Sequence, residues 1–233
     1  MSTRLLLWNM TPLSQPALLT FREEAMLVFD FFAGTGSSTK AFEDAGDTVI
    51  TFELDEQFDV TEHADIMNLS GAGLIQKYGR PDFVWASPPC TAFSVASIGH
   101  HWTGGKGAYI PKTEAAVYNQ GLVWKTLEII NALNPRKGYL MENPRGVLRK
   151  LPPVQGLLRH TVTYCQYGDD RMKPTDLWGG VPGWSPRAMC KNGDDCHTAA
   201  PRGSRTGTQG RAGAKERSMV PYELGQEIRE AMV

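Results

Sequence analysis

The chain has 233 residues, with 24 Lys and Arg against 25 Asp and Glu, a net charge of −1 and 41% hydrophobic residues. That length suits one sizeable domain, and the composition is that of a folded globular protein rather than a disordered one. No apolar run approaches the ~20 residues of a membrane span, and Leu5-Leu6-Leu7-Trp8 is too short, with no small-residue cleavage site after it, to be a signal peptide. Four cysteines in a chain this long, three of them outside any tight framework, fit a reducing cytoplasm better than a disulfide scaffold. The charge is unevenly spread. From Arg145 to Arg217 there are 13 Lys and Arg against 6 Asp and Glu, so a basic half stands beside an acidic one, which suits one face turned to a polyanion.

Residues 1–25 carry no periodicity and are interrupted by Pro12 and Pro16, so they read as a lead-in segment. Met26 to Phe32 is a near-continuous apolar run, the pattern of a strand buried on both faces. It feeds Ala33-Gly34-Thr35-Gly36-Ser37-Ser38 and then a helix-like stretch closed by Gly46. Strand, glycine turn and helix in that order cradle a nucleotide, because glycine lets backbone approach the ligand and the helix start offers free N–H groups. With only two glycines, Gly34 and Gly36, the turn suits a cofactor without a pyrophosphate better than a dinucleotide. A second strand, Thr48 to Phe52, ends at Glu53, placed to accept hydrogen bonds from ribose hydroxyls. Asp65 and Ile66 lie in the next connection, where a carboxylate can take a base amino group.

A short helix, Gly71 to Tyr78, precedes the strand Asp82 to Trp85, which stops at Ala86-Ser87-Pro88-Pro89-Cys90. Two prolines make a rigid exit that presents Cys90 at the carboxyl edge of the sheet, where open α/β folds bind ligands. A thiolate there can attack electron-poor carbon, and a buried structural cysteine is the bland alternative. Thr91 to Lys112, rich in glycine, reads as a long polar lid in which His100 and His101 are polar lid residues. Thr113 to Asn134 is the clearest helix, and Gly138 to Met141 a strand stopped by Glu142-Asn143-Pro144. Strands alternating with helices predict a parallel, doubly wound α/β sheet, so Gly34, Glu53, Cys90 and Glu142 converge at four strand ends. Thr161 to Tyr167 alternates like a further strand, with Arg171 and Lys173 behind it. Pro182 to Arg217 is rich in Gly, Pro and basic residues without helical period, and Pro221 to Met232 closes the chain as a helix.

These residues resemble a DNA cytosine-5 methyltransferase over Met26 to Val233. Asp30-Phe31-Phe32-Ala33-Gly34-Thr35-Gly36 resembles the family's cofactor loop, Phe52-Glu53-Leu54-Asp55 its ribose-binding acid, and Asp65-Ile66 its adenine-binding segment. Ser87-Pro88-Pro89-Cys90 with Phe93-Ser94 resembles its Pro-Cys nucleophile motif, Met141-Glu142-Asn143-Pro144 its Glu-Asn-Pro motif, and Ser218, Val220 and Pro221 its carboxyl-terminal motif. The family's Gln-x-Arg-x-Arg element is not intact; Gln166-Tyr167-Gly168 with Arg171 and Lys173 stands in its place. The resemblance implies a Rossmann-like methyltransferase fold with S-adenosylmethionine as cofactor, held by Phe32, Gly34, Gly36, Glu53, Asp65, Ile66, Pro89 and Ser218. It implies Cys90 as nucleophile toward C6 of a cytosine flipped out of double-stranded DNA, Glu142 as the acid at N3, and Arg171 as a further catalytic cation. Ser87, Pro89, Asn143, Pro144 and Lys173 would line the base.

The resemblance further divides the chain into a lead-in (1–25), a catalytic domain (26–178), a short target-recognition segment (179–216) and a returning carboxyl-terminal helix (217–233). We expect a monomer with no membrane partner, in the cytoplasm of a bacterial or phage-infected cell. Three rivals stay open: methylation of RNA cytosine, an amino methyltransferase, and an inactive nucleic-acid-binding relative. An amino methyltransferase would carry an aromatic residue at Cys90 and need no Glu-Asn-Pro; an intact Cys90 and Glu142 count against an inactive relative. Cys190, Cys196 and His197, considered with Cys165, raise the question of zinc. The Cys-x5-Cys spacing is longer than usual and no fourth ligand is obvious, so the expectation is no metal.

Overall fold

The computed structural model describes residues 25–105, 108–211 and 213–233; the expected lead-in lies outside these, apart from Ala25. The first apolar run forms β1 (Leu27–Phe31), and the glycine turn leads from it into a short helix, α1 (Lys40–Asp44). Next come β2 (Thr48–Glu53), the two-residue β3 (Glu62–His63) and α2 (Gly71–Tyr78), whose cap Ser70 accepts from the Gly73 N–H at 3.2 Å. The strand β4 (Phe83–Ala86) is buried throughout. A short helix, α3 (Ile98–His101), and a hairpin of β5 (Trp102–Gly105) and β6 (Ala108–Pro111) follow. The long helix α4 (Glu114–Leu133) begins at Thr113, whose hydroxyl accepts from the Ala116 N–H, and ends at Asn134 in the left-handed region just before Pro135. The chain continues through β7 (Gly138–Pro144), β8 (Arg159–Thr163), β9 (Pro174–Gly180), α5 (Ala214–Ser218) and α6 (Tyr222–Glu230).

Seven strands form one sheet in the order β3-β2-β1-β4-β7-β9-β8. The first five run parallel, while β9 is antiparallel to both β7 and β8. Period-two alternation divides the core. Phe29, Phe31, Val84, Ala86 and Met141 face the layer holding Leu74 of α2 and Leu122, Ile129 and Leu133 of α4. Val28, Phe83, Trp85 and Leu140 face the layer holding Phe42 of α1 and Leu224 and Ile228 of α6. The expected doubly wound α/β fold is thus present, with helices on both faces of a Rossmann-like sheet.

Several parts differ from expectation: β7 does not stop at Met141 but runs on through Glu142 and Asn143 to Pro144, paired there with β9. The stretch 91–112 is not a structureless lid, since it holds α3 and the β5–β6 hairpin. It is anchored by Trp102, 3% exposed, whose Nε1–H donates to the Ala92 carbonyl at 2.6 Å while its ring stacks on Phe93. The predicted strand from Thr161 to Tyr167 stops at Thr163, and Tyr164–Tyr167 turns as a 3-10 helix. Strand β9 escapes the sequence pattern, because it begins at a proline and carries a buried acid, Asp176, mid-strand. That acid is satisfied from afar, accepting from Arg149 Nε at 2.9 Å and from Thr161 Oγ1 at 2.7 Å. Among the described residues no helix is long and apolar enough to cross a membrane.

Candidate active site

Register explains why the site exists. Phe31 pairs with Phe52 and with Ala86, and Ala86 pairs with Met141, so these four residues form one row across four parallel strands. Phe32, Glu53, Ser87 and Glu142 each stand one position past that row, at the carboxyl edge. On the first strand the chain turns through Gly34 (φ +52°) and Gly36 (φ +69°), both with open space where a Cβ would be. Phe32 is itself held at φ +61°. The turn is tied down from below by Asp30, fully buried, which accepts from Ser38 Oγ at 2.7 Å and Thr39 Oγ1 at 2.8 Å. Burial pushes the Asp30 carboxyl up to about 7. From above, the Gly34 N–H donates to Glu53 Oε2 at 3.1 Å, and the Leu54 and Asp55 N–H groups donate to Glu53 Oε1 at 2.8 and 3.1 Å.

Beside this turn opens a cavity of about 230 Å³ whose lining includes Phe32, Glu53, Asp65, Ile66, Pro89 and Leu122. Apolar walls with carboxylates at the rim fit an adenosine, the rings taking the slot and the acids the hydroxyl and amino groups. Asp65 also caps its own 3-10 turn, accepting from the Met67 N–H at 2.9 Å. The residues present therefore fit the adenosine part of S-adenosylmethionine.

The reactive side of the edge is built by two rigid strand exits. After β4, Trp85 Nε1–H donates to Ser87 Oγ at 2.8 Å, and Cys90 opens a helical turn in which its carbonyl accepts from the Phe93 and Ser94 N–H groups. Near the end of β7, Asn143 Nδ2 donates to the Pro88 carbonyl at 2.8 Å, which locks the two exits together. Gly146 allows the close approach: a Cβ there would lie 2.2 Å from the Phe93 carbonyl oxygen. Glu142 is 6% exposed and accepts a hydrogen bond from the Tyr164 hydroxyl at 3.0 Å. Burial pushes its carboxyl up, against the opposing pull of the Lys173 charge and the Tyr164 hydrogen bond. Burial also raises the Cys90 thiol, and the Glu142 charge adds to this, while Lys173 and Arg217 oppose it. Lys173, itself buried, has its ammonium lowered by burial and sustained by Glu142; its Nζ sits 4.5 Å from the Tyr164 ring centre. The result is a thiol, a carboxyl and an ammonium whose charges act on one another.

Residues 26–152 match the family described as C-5 cytosine-specific DNA methylase. The chain is also 30% identical over 177 residues to a probable DNA (cytosine-5)-methyltransferase of Frog virus 3 (isolate Goorha), covering 73% of this chain and 78% of that one. The chain belongs to the C-5 cytosine-specific DNA methylase family. Among solved structures it is similar to the Entamoeba histolytica methyltransferase EhMeth, with a TM-score of 0.49, 12% identity and coverage of 74% of this chain and 56% of that one. It is also similar to the S. pombe Dnmt2 methyltransferase, with a TM-score of 0.44, 13% identity and coverage of 70% and 53%. The chain thus spans about half the length of those two structures.

In this C-5 cytosine-specific methylase the strand-end residues lie together, and the later ones do not all follow. Arg171 is occupied elsewhere: its Nε donates to Asp169 at 2.7 Å, and its two terminal nitrogens donate to the carbonyls of Glu216 and Met219 at 2.8 and 3.2 Å. It clamps the returning carboxyl-terminal segment, while the cations whose charge acts on Cys90 are Lys173 and Arg217, and on Glu142 Lys173. Ser218 is exposed and donates to the Lys215 carbonyl of its own helix; the contact with the glycine turn is made instead by Val220, whose N–H donates to Ser37 Oγ at 3.0 Å. Sequence reasoning missed Tyr164, Arg217 and the anchoring role of Asp30. Only the alternation over Thr161 to Tyr167 hinted at the first. Finally, Cys190, Cys196 and His197 do acquire a fourth neighbour, Cys165, from the turn after β8, a proximity that spacing along the chain does not reveal.

Proposed function

We propose that the protein methylates C5 of cytosine in double-stranded DNA through a covalent Cys90 adduct on a base flipped out of the helix. The observation that carries this reading is that Cys90 and Glu142 stand just past one row of parallel strand ends, beside a cavity that fits adenosine. S-adenosylmethionine would supply an electrophilic methyl group; Phe32, Glu53, Asp65, Ile66 and Pro89 would hold its adenosine, with Gly34 and Gly36 giving backbone room.

Cys90 is held as a thiol in the resting site, and Lys173 and Arg217 supply the positive field that favours its thiolate. The thiolate adds to C6 of the cytosine. Glu142, held toward its protonated form, donates to N3, so that charge does not accumulate on the ring and C5 becomes nucleophilic. After transfer, the C5 proton passes to a water molecule, the C6–Sγ bond breaks with Cys90 leaving as thiolate, and the N3 proton returns to Glu142, which restores the ring. Tyr164 fixes the orientation of Glu142, and Asn143 fixes its distance from the Pro88–Cys90 exit.

Residues 179–216, with Arg217 beyond them, would contact DNA. Arg202, Thr208, Gln209, Gly210 and Arg217 line a basic concavity of about 390 Å³ suited to phosphate. Two arginines of this stretch are already paired with acids: Arg187 with Glu223 and Glu227, and Arg211 with Asp170. Base analysis of DNA from cells expressing the chain tests the reading. It should reveal 5-methylcytosine, absent with Cys90→Ala; methyl transfer to RNA alone, or N4-methylcytosine or N6-methyladenine as product, would overturn it.

A further inference from the structure

Cys165, Cys190, Cys196 and His197 have no role in the methyl transfer proposed above, yet their ligand atoms all lie within 4.8 Å of one another. Cys165 and Cys196 place their sulfurs 3.6 Å apart, and Nδ1 of His197 lies 3.7 Å from Cys190 Sγ and 3.5 Å from Cys196 Sγ. A tetrahedral zinc with bonds of about 2.3 Å to sulfur and about 2.0–2.1 Å to nitrogen has S–S edges near ~3.8 Å and S–N edges near ~3.5 Å. These three separations match those edges to about 0.2 Å. A further one, 3.1 Å between the sulfurs of Cys165 and Cys190, is shorter than a tetrahedral edge but well beyond the ~2.05 Å of a disulfide.

The surroundings favour a metal as well. Gln166 Nε2 donates to Cys196 Sγ at 3.5 Å, as an outer partner to a thiolate does, and the Cys190 N–H is held by Thr163 Oγ1 at 3.1 Å. Residues 191–196 are exposed and form neither helix nor strand, so apolar burial cannot hold this loop in place. We propose that Cys165, Cys190, Cys196 and His197 bind one structural zinc ion. The ion closes a four-coordinate site with no open position and staples the basic segment to the turn that carries Tyr164, one residue from Cys165.

The test is metal analysis of the full chain purified under reducing conditions without chelator, together with Co(II) titration of the zinc-stripped protein. One zinc per chain is expected, with a tetrahedral thiolate–cobalt absorption spectrum. Cys196 is exposed, so Cys196→Ser should keep the circular-dichroism spectrum and lose most of the zinc, whereas His197→Cys should retain it. Absence of stoichiometric zinc together with absence of the cobalt spectrum overturns the proposal, as does a Cys165–Cys190 disulfide trapped in freshly isolated protein. The cobalt spectrum of the unaltered chain decides the matter even if a variant fails to fold. Neither readout depends on methyl transfer, so a zinc-replete but inactive protein would count against the proposed function and leave this site standing.

Discussion

Glu142 is the residue on which the chemistry of the pocket turns. Replacing it by Gln removes a general acid, which typically costs about 10²–10⁴ in rate. The substitution also removes the charge that helps raise the Cys90 thiol. The alkaline rise of single-turnover rate with pH, which reports thiolate formation, should therefore shift to lower pH in Glu142→Gln even as the maximum falls. A reduced rate with an unmoved profile would mean that the two groups are not coupled. Asp30 makes a prediction of opposite kind. Its folded-state value, about 7, lies above its ordinary 3.8, so between those values the folded protein keeps a proton that the unfolded chain releases. Stability from this site is accordingly present at low pH and lost as pH rises toward 7, by up to a few kcal/mol. Asp30→Asn should flatten that part of the urea-midpoint profile, and an identical profile in the variant would contradict the assignment.

At the scale of elements, the site depends on two strand exits touching where Gly146 passes the Phe93 carbonyl. Gly146→Ala forces them apart and should destabilise the protein by about 1–3 kcal/mol, the usual cost of overpacking, read as a lower urea midpoint. An unchanged midpoint would show that the exits can separate freely. These exits were legible in the sequence because local chemistry marks them: apolar runs that stop at Gly34, at Pro88-Pro89 and at Pro144 can only be strands that end. The elements that escaped reading depend on distant partners. Asp176 looks like a strand breaker until Arg149 and Thr161 are brought to it, and the glycine-rich stretch 91–112 reads as loose until Trp102 finds Ala92 and Phe93. Arg171 and Ser218 followed the family pattern, but contacts with Asp169, Glu216 and Met219 give the first a bracing role, and the hydroxyl of the second turns back to the Lys215 carbonyl of its own helix.

For the whole molecule, the basic stretch 179–216 is too short for a separate packed recognition domain. With Arg187 and Arg211 each paired with acids, Lys191, Arg202, Arg205 and Lys215 are left as candidates for phosphate, so DNA binding should weaken steeply with salt, with log K falling by about 0.9 per phosphate contact for each unit of log salt. Arg202→Ala with Arg205→Ala should flatten that slope. Few side chains remain to read base edges, so methylated sites should share about two to four specified base pairs. A strict requirement for six or more would show that the segment, or a partner, reads further. The central claim, a covalent bond from Cys90 to the target base, is tested most directly with DNA carrying 5-fluorocytosine, whose C5 fluorine cannot leave as a proton does. Incubation with S-adenosylmethionine should give a denaturation-resistant protein–DNA complex, mapped by mass spectrometry to Cys90 and absent in Cys90→Ala. No adduct from a preparation that still methylates ordinary cytosine would contradict the account.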